Sequence, residues 1–251
     1  MVASLGAVAS AVMAEPVLLI IIALALGATA VNGATDATNA IATVVGTRSM
    51  KPTPAIVMAA ICNFVGLTLI TVVSTAVADT IFTMVDFGGD NHAALVALAA
   101  AMVAIIVWGV AAWAFGIPTS QSHSLVAGIT GAAIALQGSF AGVNPEQWVK
   151  VIYGLVVSTG LGFGAGWLFA RIIRLTCSGL ERRKADRFFR RAQIAVGAGV
   201  AVLHGAQDGQ KFLSLCMLAI MLGVYGTPDL GRFPLWLVIL VSLVISLGTA
   251  L

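Results

Sequence analysis

The sequence predicts an all-α protein, a polytopic transmembrane helical bundle with inverted-topology repeats and broken helices. Three observations carry that prediction. Of 251 residues, 60% are hydrophobic and only 9% are charged, whereas soluble domains carry about 25% charged residues. Long runs such as Pro16 to Val31 and Phe233 to Leu251 contain no charge at all. About 20 apolar residues suffice to cross a bilayer as a helix, and these runs lack the polar face of a soluble amphipathic helix. Finally, a short polar motif occurs twice inside apolar runs, as Asn32-Gly33-Ala34-Thr35-Asp36 and as His204-Gly205-Ala206-Gln207-Asp208.

In order, the first crossing is expected from Pro16 to about Thr47, interrupted at Asn32 to Asp36. The apolar run before it has no basic leader, so no cleaved signal peptide is expected. A basic turn, Arg48 to Pro54, leads to a second crossing over about Ala55 to Ala78. A loop with Asp79, Asp86, Gly88, Gly89, Asp90 and His92 holds no Lys or Arg, as an outside loop should. A third crossing runs from about Ala93 to Phe115. Pro118 then opens a hydroxyl-rich stretch, Thr119-Ser120-Gln121-Ser122-His123-Ser124, before an apolar segment to Leu136. A turn over Gly138 to Pro145 precedes a crossing from about Trp148 to Ala170. A second interrupted segment covers about Ile194 to Val224, and a last apolar run follows the turn over Thr227 to Arg232.

Charge placement orients the chain. Eight of the 13 Lys and Arg residues fall between Arg171 and Arg191, which marks a cytoplasmic loop and a surface for anionic lipid, not a nucleic-acid site. Counting crossings back from that loop puts the Arg48/Lys51 turn inside as well, provided that residues 119–136 cross fully. The first interrupted segment then runs outside to inside and the second inside to outside, the signature of inverted repeats. Residues 1–170 form the first repeat, 171–191 the basic loop, and 192–251 the start of a second repeat that stops short. Three scattered cysteines form neither a metal site nor a disulfide framework, and no nucleophile–base pair points to an enzyme.

Asp36 and Asp208 are the principal site candidates. A carboxylate at mid-bilayer costs about 2.5–3.5 kcal/mol and is retained where it lies on an ion or substrate path. Gly33 and Gly205 are expected to let the helix open so that backbone groups of the Asn32 region join the site. Asn39, one turn beyond Asp36, completes an oxygen-rich cation site with Asn32, Asp36 and Asp208. In the second stretch, a helix beginning near Ser120 to Ser122 presents free amides and hydroxyls to an oxyanion. Thr119, Ser120, Ser122 and His123 are its candidates. Lys211 occupies the place of Asn39 in the second motif. It either pairs with Asp208, stands in for a bound cation, or attracts the anion directly.

Asn32-Gly-Ala-Thr-Asp-Ala-Thr-Asn39-Ala40 resembles the G-A-N-D-x-A-N-A signature of the inorganic phosphate transporter (Pit) family. Pro118-Thr-Ser-Gln-Ser-His123-Ser resembles its P-x-S-T-T-H motif, and His204-Gly-Ala-Gln-Asp208 resembles the second copy of the signature. The resemblance implies a multi-pass symporter of the cell membrane that moves phosphate with Na+ or H+. It needs no further cofactor and often works as a homodimer. It also implies that Asp36, Asn39, Thr119, Ser120, Ser122 and Asp208 line a central site. Thr35 and Gln207 replace the Asn before each Asp, Gln121 interrupts the hydroxyl run, and no second hydroxyl motif follows Asp208. The alternatives are a sulfate or other oxyanion permease, or a truncated, non-transporting membrane subunit.

Overall fold

Proline at the first helical position, where its missing N–H costs nothing, opens three of the longest helices in the computed structural model. The structure describes residues 4–88, 90–179, 181–226 and 232–251, without the side chain of Ala37. Gly89 and most of the turn expected over 227–232 lie outside the described residues. The elements are α1 (Leu5–Ala14), α2 (Pro16–Gly46), α3 (Pro52–Val73), α4 (Ala76–Phe82), α5 (Asn91–Phe115), α6 (Gln121–Gln137), α7 (Pro145–Cys177), α8 (Arg182–Tyr225) and α9 (Leu235–Ala250). Four of them, α2, α3, α5 and α7, are long and apolar enough to cross a membrane. Among the described residues there is no strand, only an isolated bridge between Val85 and Val143.

Helices occupy the stretches expected to cross, but the breaks lie elsewhere than at the two motifs. α2 and α8 run as uninterrupted helix through Asn32–Asp36 and His204–Asp208, which corrects the opened helices expected there. The physical reason lies in Gly33 and Gly205. A Cβ on Gly33 would collide with the Ile245 carbonyl of α9, and one on Gly205 would collide with the Asn63 backbone of α3. These glycines serve close helix contact, not unwinding. The chain breaks instead at Ser74–Thr75, between α3 and α4, and at residues 116–120 between α5 and α6.

Those contacts form a two-fold pattern. Gly33 of α2 meets Ile245 of α9, and Gly248 of α9 meets the Ala30 carbonyl of α2. Correspondingly, Gly205 of α8 meets Asn63 of α3, and Gly66 of α3 meets the Val202 carbonyl of α8. The offset that carries Asp36 to Asp208 also carries Ala30 to Val202 and Gly33 to Gly205. The offset that carries Asn63 to Ile245 carries Gly66 to Gly248. The helix pairs α2/α3 and α8/α9 are therefore one unit used twice. Leu18 packs on Gly223 and Val44 on Gly197, so α2 and α8 run antiparallel, as inverted repeats require.

α5 and α6 form a hairpin. Asp90 caps α5 through the His92 and Ala93 amides, while His92 reaches Glu15 at the start of α2 (3.1 Å). At the far end of the hairpin, Gln137 of α6 donates to the Asp86 carbonyl (2.6 Å). Both feet of the hairpin thus stand at the end of the bundle where α2 begins. Gly116, at φ 65°, closes α5 in the left-handed conformation that glycine tolerates. The tip then meets α2 at Asp36, about 15 Å before α2 ends at Gly46 at 1.5 Å per residue. Residues 119–136 therefore do not cross on their own, which corrects that expectation. Because α5 and α6 enter and return together, the relative directions of α2 and α8 are unchanged. Gln193 of α8 bonds Thr47, which sets the Arg48/Lys51 turn beside the basic start of α8. α7 has no buried residue and lies at the periphery.

Candidate functional site

Where the hairpin tip meets the crossing of α2 and α8, polar side chains gather inside an apolar bundle. Asp36 is buried and accepts from the backbone amide of Gln121 (3.4 Å). It thereby caps the N-terminus of α6, not its own helix. On the facing helix, Asp208 Oδ1 accepts from Lys211 Nζ at 2.6 Å and from Ser122 Oγ at 3.2 Å. Lys211 Nζ also donates to Ser122 Oγ (2.6 Å). The other Asp208 oxygen lies 3.5 Å from His204 Nε2. Ligand atoms of Asp36, His204 and Asp208 all lie within 4.8 Å of one another. The Asp208, Lys211 and His204 side chains are only 15%, 19% and 12% exposed, so these charges interact with little screening by water.

One ammonium faces two carboxylates, and this imbalance is the main chemical feature of the site. Lys211 is engaged with Asp208 and Ser122. Among the described residues, the Gln121 amide is the only hydrogen-bond donor to Asp36. A cluster of this kind attracts a further positive charge near Asp36 and the outer oxygen of Asp208. Lys211 and the amide end of α6 supply donors for an anion, beside the Ser122 hydroxyl, which donates to Asp208. Ser122, His123 and Lys211 open on a cleft of about 330 Å3, closed by Val77, Thr80 and Ile81 of α4 and by Val151 and Leu155 of α7. A larger cleft of about 500 Å3, on another side of α2, is lined by Thr35, Thr38 and Thr249 and by no charged side chain.

The other sequence candidates fall around this centre. Ser120 caps α6, accepting from the His123 amide, and its carbonyl accepts from Ser124. Thr119 accepts from Trp108 Nε1 (2.8 Å). His123 is exposed beside Ser122. Asn32 is fully buried one turn before Asp36, and neither of its amide atoms has a hydrogen-bond partner among the described residues. Asn39 is exposed on α2 and makes none of the hydrogen bonds of the cluster.

Two residues that the sequence reading does not select belong here. Gln121 is fully buried, and its Nε2 donates to Thr35 Oγ1 (3.4 Å). Thr35 and Gln121 both depart from the family pattern, and they bond each other. An amide lost from α2 is matched by one gained on α6. Asn63, fully buried on α3, joins His204 Nδ1 (3.0 Å) to Thr249 (2.8 Å). Its signal in the sequence is a lone amide in a 22-residue helix that is apolar apart from it, Thr53, Thr68 and Thr71.

The sequence profile of the phosphate transporter family matches residues 32–180 and 176–251. A probable low-affinity inorganic phosphate transporter of Bacillus subtilis is 33% identical over 233 residues, which cover 93% of this chain and 68% of that protein. A counterpart from Mycobacterium tuberculosis is 34% identical, over 93% of this chain and 55% of its own length. The low-affinity inorganic phosphate transporter PitA of Escherichia coli is 33% identical, over 82% of this chain and 46% of its own length. This chain thus spans between about half and two thirds of these relatives. Among solved structures, one described as the sodium-dependent phosphate transporter superposes with a TM-score of 0.76 at 19% identity, covering 94% of this chain and 75% of that one.

Proposed function

The chain belongs to the phosphate transporter family, and from that premise we propose that it moves inorganic phosphate across the cell membrane as a cation-driven symporter. The observation that carries this reading is the meeting of three elements at one point. The tip of the α5–α6 hairpin brings Ser122 and the Gln121 amide onto the Asp208–Lys211 pair of α8 and onto Asp36 of α2. Phosphate is held by Ser122 and Lys211 at the amide end of α6, with Thr119, Ser120 and His123 around the entrance. The coupling cation sits between Asp36 and the outer oxygen of Asp208, next to Asn32. Binding of each ion offsets charge left by the other, so the two bind best together, which is the thermodynamic basis of coupled transport.

The oxygen-rich character of the cation position supports Na+, as does the printed description of the solved relative, sodium-dependent. The test is accumulation of labelled phosphate in proteoliposomes of the purified chain, with a Na+ gradient or a proton gradient imposed in turn, and with sulfate as competitor. Accumulation driven by Na+ and spared by sulfate supports the reading. Downhill leakage alone, or none, refutes it.

A further inference from the structure

The hydrogen-bond chain running from α9 through α3 to α8 has a fixed direction. Thr249 Oγ1 gives its only proton to the Ile245 carbonyl (2.9 Å), so it can only accept from Asn63. Asn63 Nδ2 is therefore the group that faces Thr249 (2.8 Å), and Asn63 Oδ1 is left facing His204 Nδ1 (3.0 Å). An amide oxygen cannot donate, so His204 must carry its proton on Nδ1. In the neutral ring the other nitrogen, Nε2, is then a bare lone pair. That nitrogen is buried, has no hydrogen-bond partner among the described residues and lies 3.5 Å from Asp208 Oδ2. Two acceptors face each other, with the Asp36 carboxylate beside them.

We propose that Asn63 is a positioning residue: by holding the proton of His204 on Nδ1, it keeps the second oxygen of Asp208 free for the coupling cation. The opposite tautomer would aim an N–H at Asp208 Oδ2 and occupy that oxygen with a charge-assisted hydrogen bond. Lys211 and Ser122 already hold Oδ1. Asp208 would then have neither oxygen to offer, and only Asp36 would remain for the cation. The two-fold pattern shows that the arrangement belongs to one repeat. The counterpart of His204 is Asn32 and the counterpart of Asn63 is Ile245. With no polar partner at Ile245, the Asn32 amide has no hydrogen-bond partner among the described residues.

The inference rests on the transport reading for its cation, but its first measurement does not. 15N NMR of the purified full chain labelled at histidine reports the tautomer directly, with the His204 signal assigned by its loss in His204→Gln. The wild type is expected to show Nδ1 protonated and Nε2 bare. Asn63→Leu is expected to move the proton to Nε2 and to raise the Na+ concentration for half-maximal phosphate uptake about tenfold or more, the size of effect expected when a bond to a charged group is gained or lost. Asn63→Asp keeps an acceptor in place and is expected to retain both the tautomer and the Na+ dependence. A purely structural role for Asn63 predicts equal damage from both variants and would overturn the inference. So would a wild-type ring protonated on Nε2, or a ring unmoved in Asn63→Leu. If Asn63→Leu does not fold, the wild-type spectrum and Asn63→Asp still decide. Failure of the wild type to accumulate phosphate counts against the transport reading alone and leaves the tautomer result standing.

Discussion

α2 and α8 carry the same motif in opposite directions, yet their surroundings differ. On α2, the face formed by Gly27, Val31 and Thr35 is covered by the hairpin, through Ile106, Gly109 and Gln121. The same offset that relates the two motifs places Gly199, Leu203 and Gln207 on the corresponding face of α8, and all three are exposed. The two aspartates differ in the same way. Asp36 is met by a neutral backbone amide, Asp208 by the Lys211 ammonium. Packing and chemistry therefore follow the two-fold pattern to different degrees. The glycine contacts that set the helix spacing repeat faithfully, whereas the donors that distinguish the two carboxylates come from one hairpin and one lysine.

The sharpest way to break this comparison is to remove its asymmetric charge. Lys211→Met leaves two carboxylates facing each other in a buried site, and removing one partner of a buried ion pair costs about 3–5 kcal/mol. Loss of phosphate uptake and a clearly lower melting temperature are expected. Adding Asp208→Asn should restore stability without restoring uptake, and stability that stays low in the double variant would show that the pairing is not what Lys211 contributes.

Next in size are the contacts that repeat. Gly33→Ala and Gly205→Ala each push a methyl group into a neighbouring backbone, and overpacking of this kind costs about 1–3 kcal/mol. The two-fold pattern requires similar losses from both, read as thermal melting in detergent. A tolerated substitution at either position would break the equivalence.

Ser122→Ala removes a hydroxyl shared by Asp208 and Lys211. Its cost to stability should be about 1 kcal/mol, with phosphate half-saturation raised about tenfold, one hydrogen bond to a charged group being worth that much. Unchanged half-saturation would move the anion away from the hairpin tip.

The smallest perturbation probes coverage alone. A spin label at Leu203→Cys should be mobile and accessible to oxygen, and one at Val31→Cys immobile and protected. Cys62, Cys177 and Cys216 would first be replaced. Equal accessibility at the two sites would show that the faces of α2 and α8 are alike in the membrane.

Asp36, Asp208, Lys211 and Ser122 were legible because each is a costly polar residue in an apolar run. Gly33 and Gly205 were legible as special but not in their role. A glycine that opens a helix and one that admits a neighbouring backbone look the same in sequence, and only the carbonyls of Ile245 and Asn63 tell them apart. Gln121 reads as an interruption of a hydroxyl run until its bond to Thr35 is seen. The hairpin was hidden for a further reason: Asn91–Phe115 is long and apolar enough to span by itself, and length does not show where a helix stops relative to its neighbours.

By itself the sequence determined that this chain lies in a membrane, that its helices run nearly where they do, and that two acidic motifs are related. Those follow from the cost of exposing polar groups to hydrocarbon, which each stretch of chain meets on its own. Only the tertiary structure decided that the hairpin tip stops at Asp36, that Lys211 reaches Ser122, and that Asn63 meets the ring of His204. Each of these depends on how far one helix lies from another, and that distance is set by contacts between residues far apart in the chain.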